Sequence, residues 1–191
     1  MQLDDLYERK ARAFARRPGM AATEHHGQLR FDDGMAACFD HPEHPLVIDL
    51  PSSDGGSGRG PAPMDLAVAS LGACFGACAR IWAARFAVPI LDLNVALRIE
   101  HDARAVLVAD DSIAAHWQRL IVETTVRVPA PLAAPSELER VFAVAAARCP
   151  LLASLHPAIE RAFHLMVLPP PSSPGGDGTT DGTAVPSDIT P

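Results

Sequence analysis

Apolar and polar positions first alternate with helical spacing near the start of the chain. Leu3, Leu6, Tyr7, Lys10 and Phe14 predict a short amphipathic helix over residues 2–17, which Pro18-Gly19 stops. Residues 21–50 then read as two or three antiparallel strands. They are broken at Asp32-Asp33-Gly34, a hairpin turn signal, and at His41-Pro42-Glu43-His44-Pro45, and the last strand covers residues 46–50. The glycine- and serine-rich residues 51–60 predict a flexible surface loop. It lacks the Gly-Lys-Ser/Thr ending and the spacing of a phosphate cradle.

Residues 60–86 break both patterns. Pro61 and Pro63 suit a first helical turn and Asp65 complements its positive end, but from Leu66 to Ala79 the run is apolar all round. Such a helix belongs in a core. The apolar run stops at Arg80, short of the roughly 18 residues a bilayer asks for, so no membrane partner is expected. Strict alternation follows at Leu91–Asp102 and again at Trp117–Val128, predicting two half-buried strands with a short strand at 105–108 between them. Ser136 with Glu139 reads as a capping box for a second helix, ended by Pro150. A short helical piece at 151–155 and a last strand over 158–168 complete the pattern. Residues 169–191 carry little to bury and are expected to be disordered. The reading is an α+β domain at 21–168, mainly an antiparallel sheet packed on helices, flanked by an N-terminal helix and linker (1–20) and the tail.

Composition changes this picture little. The 191 residues suit one domain with a substantial core, and the formal net charge of −7 argues against a nucleic-acid partner. Residues 1–20 carry Asp4, Asp5 and Glu8 and lack a signal-type apolar core, and the four cysteines form no disulfide framework, so a cytoplasmic location is expected.

The cysteines carry the candidate chemistry. Buried, inert thiols are the ordinary state of Cys38, Cys74, Cys78 and Cys149. No Cys/His spacing fits structural zinc, and no metal or cofactor is expected. Cys74 and Cys78 share one helix face, but side chains four residues apart run side by side, which is poor disulfide geometry. A redox partner for Cys74 has to come from another element, and Cys149, before Pro150, is the candidate.

Gly60-Pro61-Ala62-Pro63-Met64-Asp65-Leu66 followed by Ser70-Leu71-Gly72-Ala73-Cys74-Phe75 resembles the central-helix motif of the OsmC/Ohr family, the osmotically inducible protein C and organic hydroperoxide resistance proteins. Leu138-Glu139-Arg140 leading to Arg148-Cys149-Pro150-Leu151 is similar to its second cysteine motif, and residues 44–51 with Gly55-Gly56 match the segment before the helix. The resemblance covers about residues 21–168. It implies an intertwined homodimer with a long buried central helix. It also implies a peroxidase in which Cys74 becomes a sulfenic acid, Cys149 resolves it to a disulfide, and a dithiol reductant such as a lipoyl or thioredoxin-like protein regenerates the pair. The substrate class is organic hydroperoxides, with hydrogen peroxide open; no cofactor is needed.

The family's peroxidases activate the thiolate with an Arg from the early strands, held by a Glu opening the central helix. Here Ala62-Pro63-Met64 replaces the Asn-Pro-Glu pattern, leaving Asp65 as the nearby acid and Arg30 as the candidate Arg, with Arg59 and Arg148 as neighbours of the two motifs. Asp65 reads equally as a helix N-terminal charge. Cys38, Cys78 and Trp82 are assigned to core or interface. The alternative function is a non-catalytic dimer of the same fold binding a small hydrophobic molecule. A third possibility is a redox-sensing or interaction protein whose tail recruits a partner.

Overall fold

The computed structural model describes residues 3–31, 34–131, 133–170 and 185–188. The chain divides into two compact units, residues 10–70 and residues 1–9 with 71–191.

In the first unit, β1 (Leu29–Phe31), β2 (Ala37–Phe39) and β3 (Leu46–Ile48) form an antiparallel meander in that order. Of the anticipated hairpin turn, Asp32 and Asp33 lie outside the described residues, while Gly34 adopts φ 98°, where only glycine is unstrained. The loop after β3 is not the loose linker its glycines suggest. Asp49 is buried, and its Oδ2 accepts hydrogen bonds from the Ser57 N–H (3.1 Å) and the Arg59 N–H (3.2 Å), with the Arg59 guanidinium 3.7 Å away. The Arg59 N–H above all, opposed by burial and aided by the Ser57 N–H and the Arg59 charge, holds the Asp49 carboxyl below the usual carboxylate range. A short 3-10 turn, Ser52–Asp54, tightens the segment further.

Gly56 and Gly60 press against the backbone they follow. A Cβ on Gly56 would overlap the Leu50 carbonyl oxygen, and one on Gly60 the Val47 carbonyl oxygen. Backbone cannot swing aside as a side-chain end can, so overpacking here costs at least the ~1–3 kcal/mol typical of added core methylenes. Gly56→Ala is expected to lower the melting temperature, whereas Gly58→Ala, with open space around it but φ 66°, pays backbone strain alone. Equal melting of Gly56→Ala and wild type would contradict this packing.

Helix α1 (Leu3–Arg16) falls where its periodicity places it and buries none of its residues. The long helix α2 (Pro63–Arg85) crosses from the first unit into the second. Within the second unit, β4 (Asp92–Glu100) pairs antiparallel with β5 (Arg119–Arg127), and β5 pairs parallel with β6 (Glu160–Leu168). The parallel pair requires a crossover, supplied by α4 (Pro135–Arg148) and α5 (Pro150–Ala153). The segment between β4 and β5 forms a helical turn, α3 (Arg104–Leu107), rather than the anticipated strand at 105–108. The reason is local: the Asp102 carboxylate accepts the Arg104 backbone N–H at 3.0 Å and pairs with its guanidinium, and Val106 and Leu107 stand exposed.

One further expectation is corrected. Helix α4 opens two residues earlier than a Ser136–Glu139 box would place it: Pro135 takes the first helical position, and the Glu137 carboxylate accepts the Ala134 N–H at 3.0 Å. Of the tail 169–191, residues 171–184 and 189–191 lie outside the described residues, and β7 (Val185–Asp188) pairs antiparallel with the outer side of β6.

Helix α2 is buried along one stripe only. Leu71, Phe75, Ala79 and Ala83, one turn apart, pack into a core with Leu120 and Val122 of β5, Leu138 and Phe142 of α4, and Phe163 and Leu165 of β6. Gly72 and Gly76 face the Leu97, Val95 and Leu93 side chains, where the absent Cβ lets the helix approach β4 closely. Ala69, Ser70, Ala73 and Ala77 remain exposed. The all-round burial expected of this helix is therefore not met within one chain. At 23 residues, with an 18-residue stretch of mean hydropathy 1.5, α2 is long and apolar enough to cross a membrane by length and composition, contrary to the shorter apolar span counted to Arg80. Its buried stripe is committed to the core described here.

Candidate functional site: a cluster of three thiols

Cys149 follows the last residue of α4 in extended conformation (φ −71°, ψ 115°), as Pro150 imposes on its predecessor. That ends one helix and starts the next within a single residue, and it turns the Cys149 side chain fully into the core. There its thiol donates to the Cys74 Sγ at 3.4 Å. One turn along α2, the Cys78 thiol reaches the Arg148 carbonyl oxygen at 4.0 Å. The Sγ atoms of Cys74, Cys78 and Cys149 all lie within 4.8 Å of one another, and all the cysteines are free thiols.

The three sulfurs are not equivalent. Cys149 is completely buried while Cys74 and Cys78 are partly exposed. Burial, reinforced by the neighbouring sulfurs against hydrogen bonding from the backbone at Leu152, pushes the Cys149 thiol up to about 12. Burial and then the charge of Cys74 also push the Cys78 thiol up. Cys149 therefore keeps its proton and offers it to Cys74.

This asymmetry has a consequence for stability. The folded protein holds the Cys149 proton up to about pH 12, whereas an unfolded thiol releases it near 9.0. The native state binds the extra proton between those values, so its stability is complete below about pH 9 and drains as pH rises toward 12. In denaturant melts taken on both sides of pH 9, Cys149→Ala is expected to lose stability less steeply with pH than wild type. Parallel slopes would contradict the assignment.

The structure thus joins Cys74 to Cys149 and adds Cys78, which sequence reasoning left in the core. The i, i+4 spacing signalled that Cys78 shares a face with Cys74, but nothing local signalled that Cys149 lands between them. Arg30 sits at the centre of β1, opposite Cys38 of β2, in the unit of residues 10–70. Asp65 lies in the first turn of α2 in the same unit, where its Oδ2 accepts the Ala62 N–H at 3.1 Å, a capping contact. A hollow of about 390 Å³ lined by Leu3, Arg80, Ala83 and Ile90 lies toward the C-terminal end of α2 rather than at the sulfurs.

An α+β scaffold carrying a core helix thiol met by a second thiol at a helix–helix break defines a class of thiol protein. The family model for OsmC-like protein matches residues 55–162, more than half of the chain, and the chain belongs to that family. Solved structures share the fold at low identity. An OsmC-like protein from Mycoplasma pneumoniae is 12% identical, with 76% of this chain and 97% of that chain covered and a TM-score of 0.64. An organic hydroperoxide resistance protein OsmC from Legionella pneumophila is 15% identical over 75% and 98%, with a TM-score of 0.57. An organic hydroperoxide resistance protein from Elizabethkingia anophelis is 16% identical over 76% and 96%, with a TM-score of 0.54. No protein of curated function matches the chain.

Proposed function

We propose that the protein is a thiol-dependent peroxide reductase acting on organic hydroperoxides through Cys74 and Cys149. The observation that carries this reading is the 3.4 Å contact from the Cys149 thiol to the Cys74 sulfur, bridging 75 residues of sequence. The Cys74 thiolate attacks the terminal peroxide oxygen, the O–O bond breaks, and the alcohol leaves with a proton as Cys74 becomes a sulfenic acid. The Cys149 sulfur then displaces the hydroxyl as water and the disulfide closes. An external dithiol takes up that oxidation by exchange and returns both thiols.

Cys149 fits the resolving role because it holds its proton while Cys74 reacts and because it lies beyond direct attack by bulk peroxide. Closing the pair from 3.4 Å to the ~2.05 Å of an S–S bond lies within the reach of side-chain movement. The partners in this reading are a second copy of the chain and a dithiol reductant such as a lipoyl or thioredoxin-like protein. The homodimer draws its support from α2, whose Ala69, Ala73 and Ala77 leave an apolar face outward after the core stripe is packed.

The test is to add an organic hydroperoxide to the reduced protein and map its cysteines. The expected result is one alcohol formed per chain and a Cys74–Cys149 disulfide in the peptide map. Peroxide left intact with both thiols alkylatable would refute the reading, and a co-purified apolar ligand alongside that result would favour a binding protein.

A further inference from the structure

The peroxidase reading uses two of the three clustered sulfurs and leaves Cys78 without a task. We propose that Cys74, Cys78 and Cys149 together form a capture site for a trivalent arsenic or antimony oxyacid, bound as a neutral tris-thiolate. The geometry comes first. Three Sγ atoms converge within 4.8 Å of one another, from two successive turns of one helix and from the break between two others. The cluster is packed against the hydrophobic core, with Trp82 and Leu155 among the apolar side chains bordering that core.

Charge then decides which ion suits it. Three thiolates around a monovalent or divalent soft cation leave net negative charge among apolar side chains, which is costly without a compensating group. A trivalent centre with three thiolates is neutral. An oxyacid also brings its own acceptors for the three thiol protons, which leave on its oxygens as water. Arsenous acid reacts with three thiols so that three S–H and three As–O bonds break, three As–S bonds form, and three waters leave. Arsenic stays trivalent throughout, and no oxidant or reductant is consumed. Entry is through the partly exposed Cys74 and Cys78, with buried Cys149 closing the third bond.

The test uses arsenite itself and the full-length reduced protein, read by native mass spectrometry and thiol alkylation. The expected result is a mass gain of one arsenic less three hydrogens, with Cys74, Cys78 and Cys149 shielded from alkylation and Cys38 still reactive. Cys78→Ser is expected to bind at least tenfold more weakly and to gain arsenic with one hydroxyl, less two hydrogens. A wild-type adduct that has lost only two hydrogens overturns the proposal. So does equal affinity of wild type and Cys78→Ser, or zinc displacing arsenite from the reduced protein. The wild-type mass decides even where Cys78→Ser fails to fold, and none of these readouts depends on peroxide turnover.

Discussion

Cys74→Ser is expected to abolish peroxide reduction, while substitutions at Cys149 split according to what they leave at the hydrogen bond. A serine oxygen at position 74 does not perform the thiolate's attack on an O–O bond, so the loss is several orders of magnitude and no residual burst remains. Cys149→Ser keeps a donor pointing at the Cys74 sulfur but removes the resolving sulfur. It should consume one peroxide per chain at close to the wild-type rate and then stall with a trappable sulfenic acid. Cys149→Ala removes the donor as well. A hydrogen bond to a charged acceptor is worth about 1.5–3 kcal/mol, so the first turnover should slow by roughly ten- to a hundredfold relative to Cys149→Ser. Stopped-flow single turnovers with an organic hydroperoxide distinguish the three variants. Equal first turnovers in Cys149→Ser and Cys149→Ala would show that the 3.4 Å contact does not assist Cys74.

Much of this was legible in the sequence where a local rule suffices. Alternation placed β4 and β5 to within about two residues, because a strand with one buried face must read with period two. Pro150 marked the end of α4 because its restriction acts on its immediate neighbour. What escaped depends on contacts between distant residues or on competition between nearby signals. Ser136–Glu139 reads as the helix start, but Pro135 at the first helical position, with Glu137 closing on Ala134, prevails. Val106 and Leu107 looked like strand material, but among the described residues no strand pairs with them and the Asp102–Arg104 pair closes a turn instead. The glycines of residues 55–60 read as slack, whereas Asp49 and the close approach of Gly56 and Gly60 to backbone oxygens make that loop tight. Cys78 joined the site for the same reason: its distance to Cys74 is written in the helix period, its distance to Cys149 only in the packing of α4 on α2.

That packing sets the second large effect. Phe75 is the residue next to Cys74 and points into the core, 1% exposed, with its ring 6.3 Å from Phe142 of α4 and 6.1 Å from Phe163 of β6. One side chain thus joins the helix bearing Cys74 to the helix that ends at Cys149 and to the strand beyond. Phe75→Ala leaves a cavity among large apolar neighbours, and such truncations cost about 3–5 kcal/mol. Against a total stability of roughly 5–15 kcal/mol, this removes about a fifth or more. Phe75→Leu keeps most of the volume and should lose far less, about 1.5 kcal/mol or below. Because α2 and α4 hold their sulfurs in register through this contact, the two variants should also differ in chemistry at temperatures where both are folded. Phe75→Ala is expected to form the Cys74–Cys149 disulfide more slowly after sulfenic acid forms, and to slow sulfenic acid formation as well, because the Cys149 thiol no longer meets the Cys74 sulfur squarely. Disulfide closure as fast in Phe75→Ala as in Phe75→Leu would mean that the sulfurs are positioned by the turn at Cys149-Pro150 alone, not by the aromatic core beneath them.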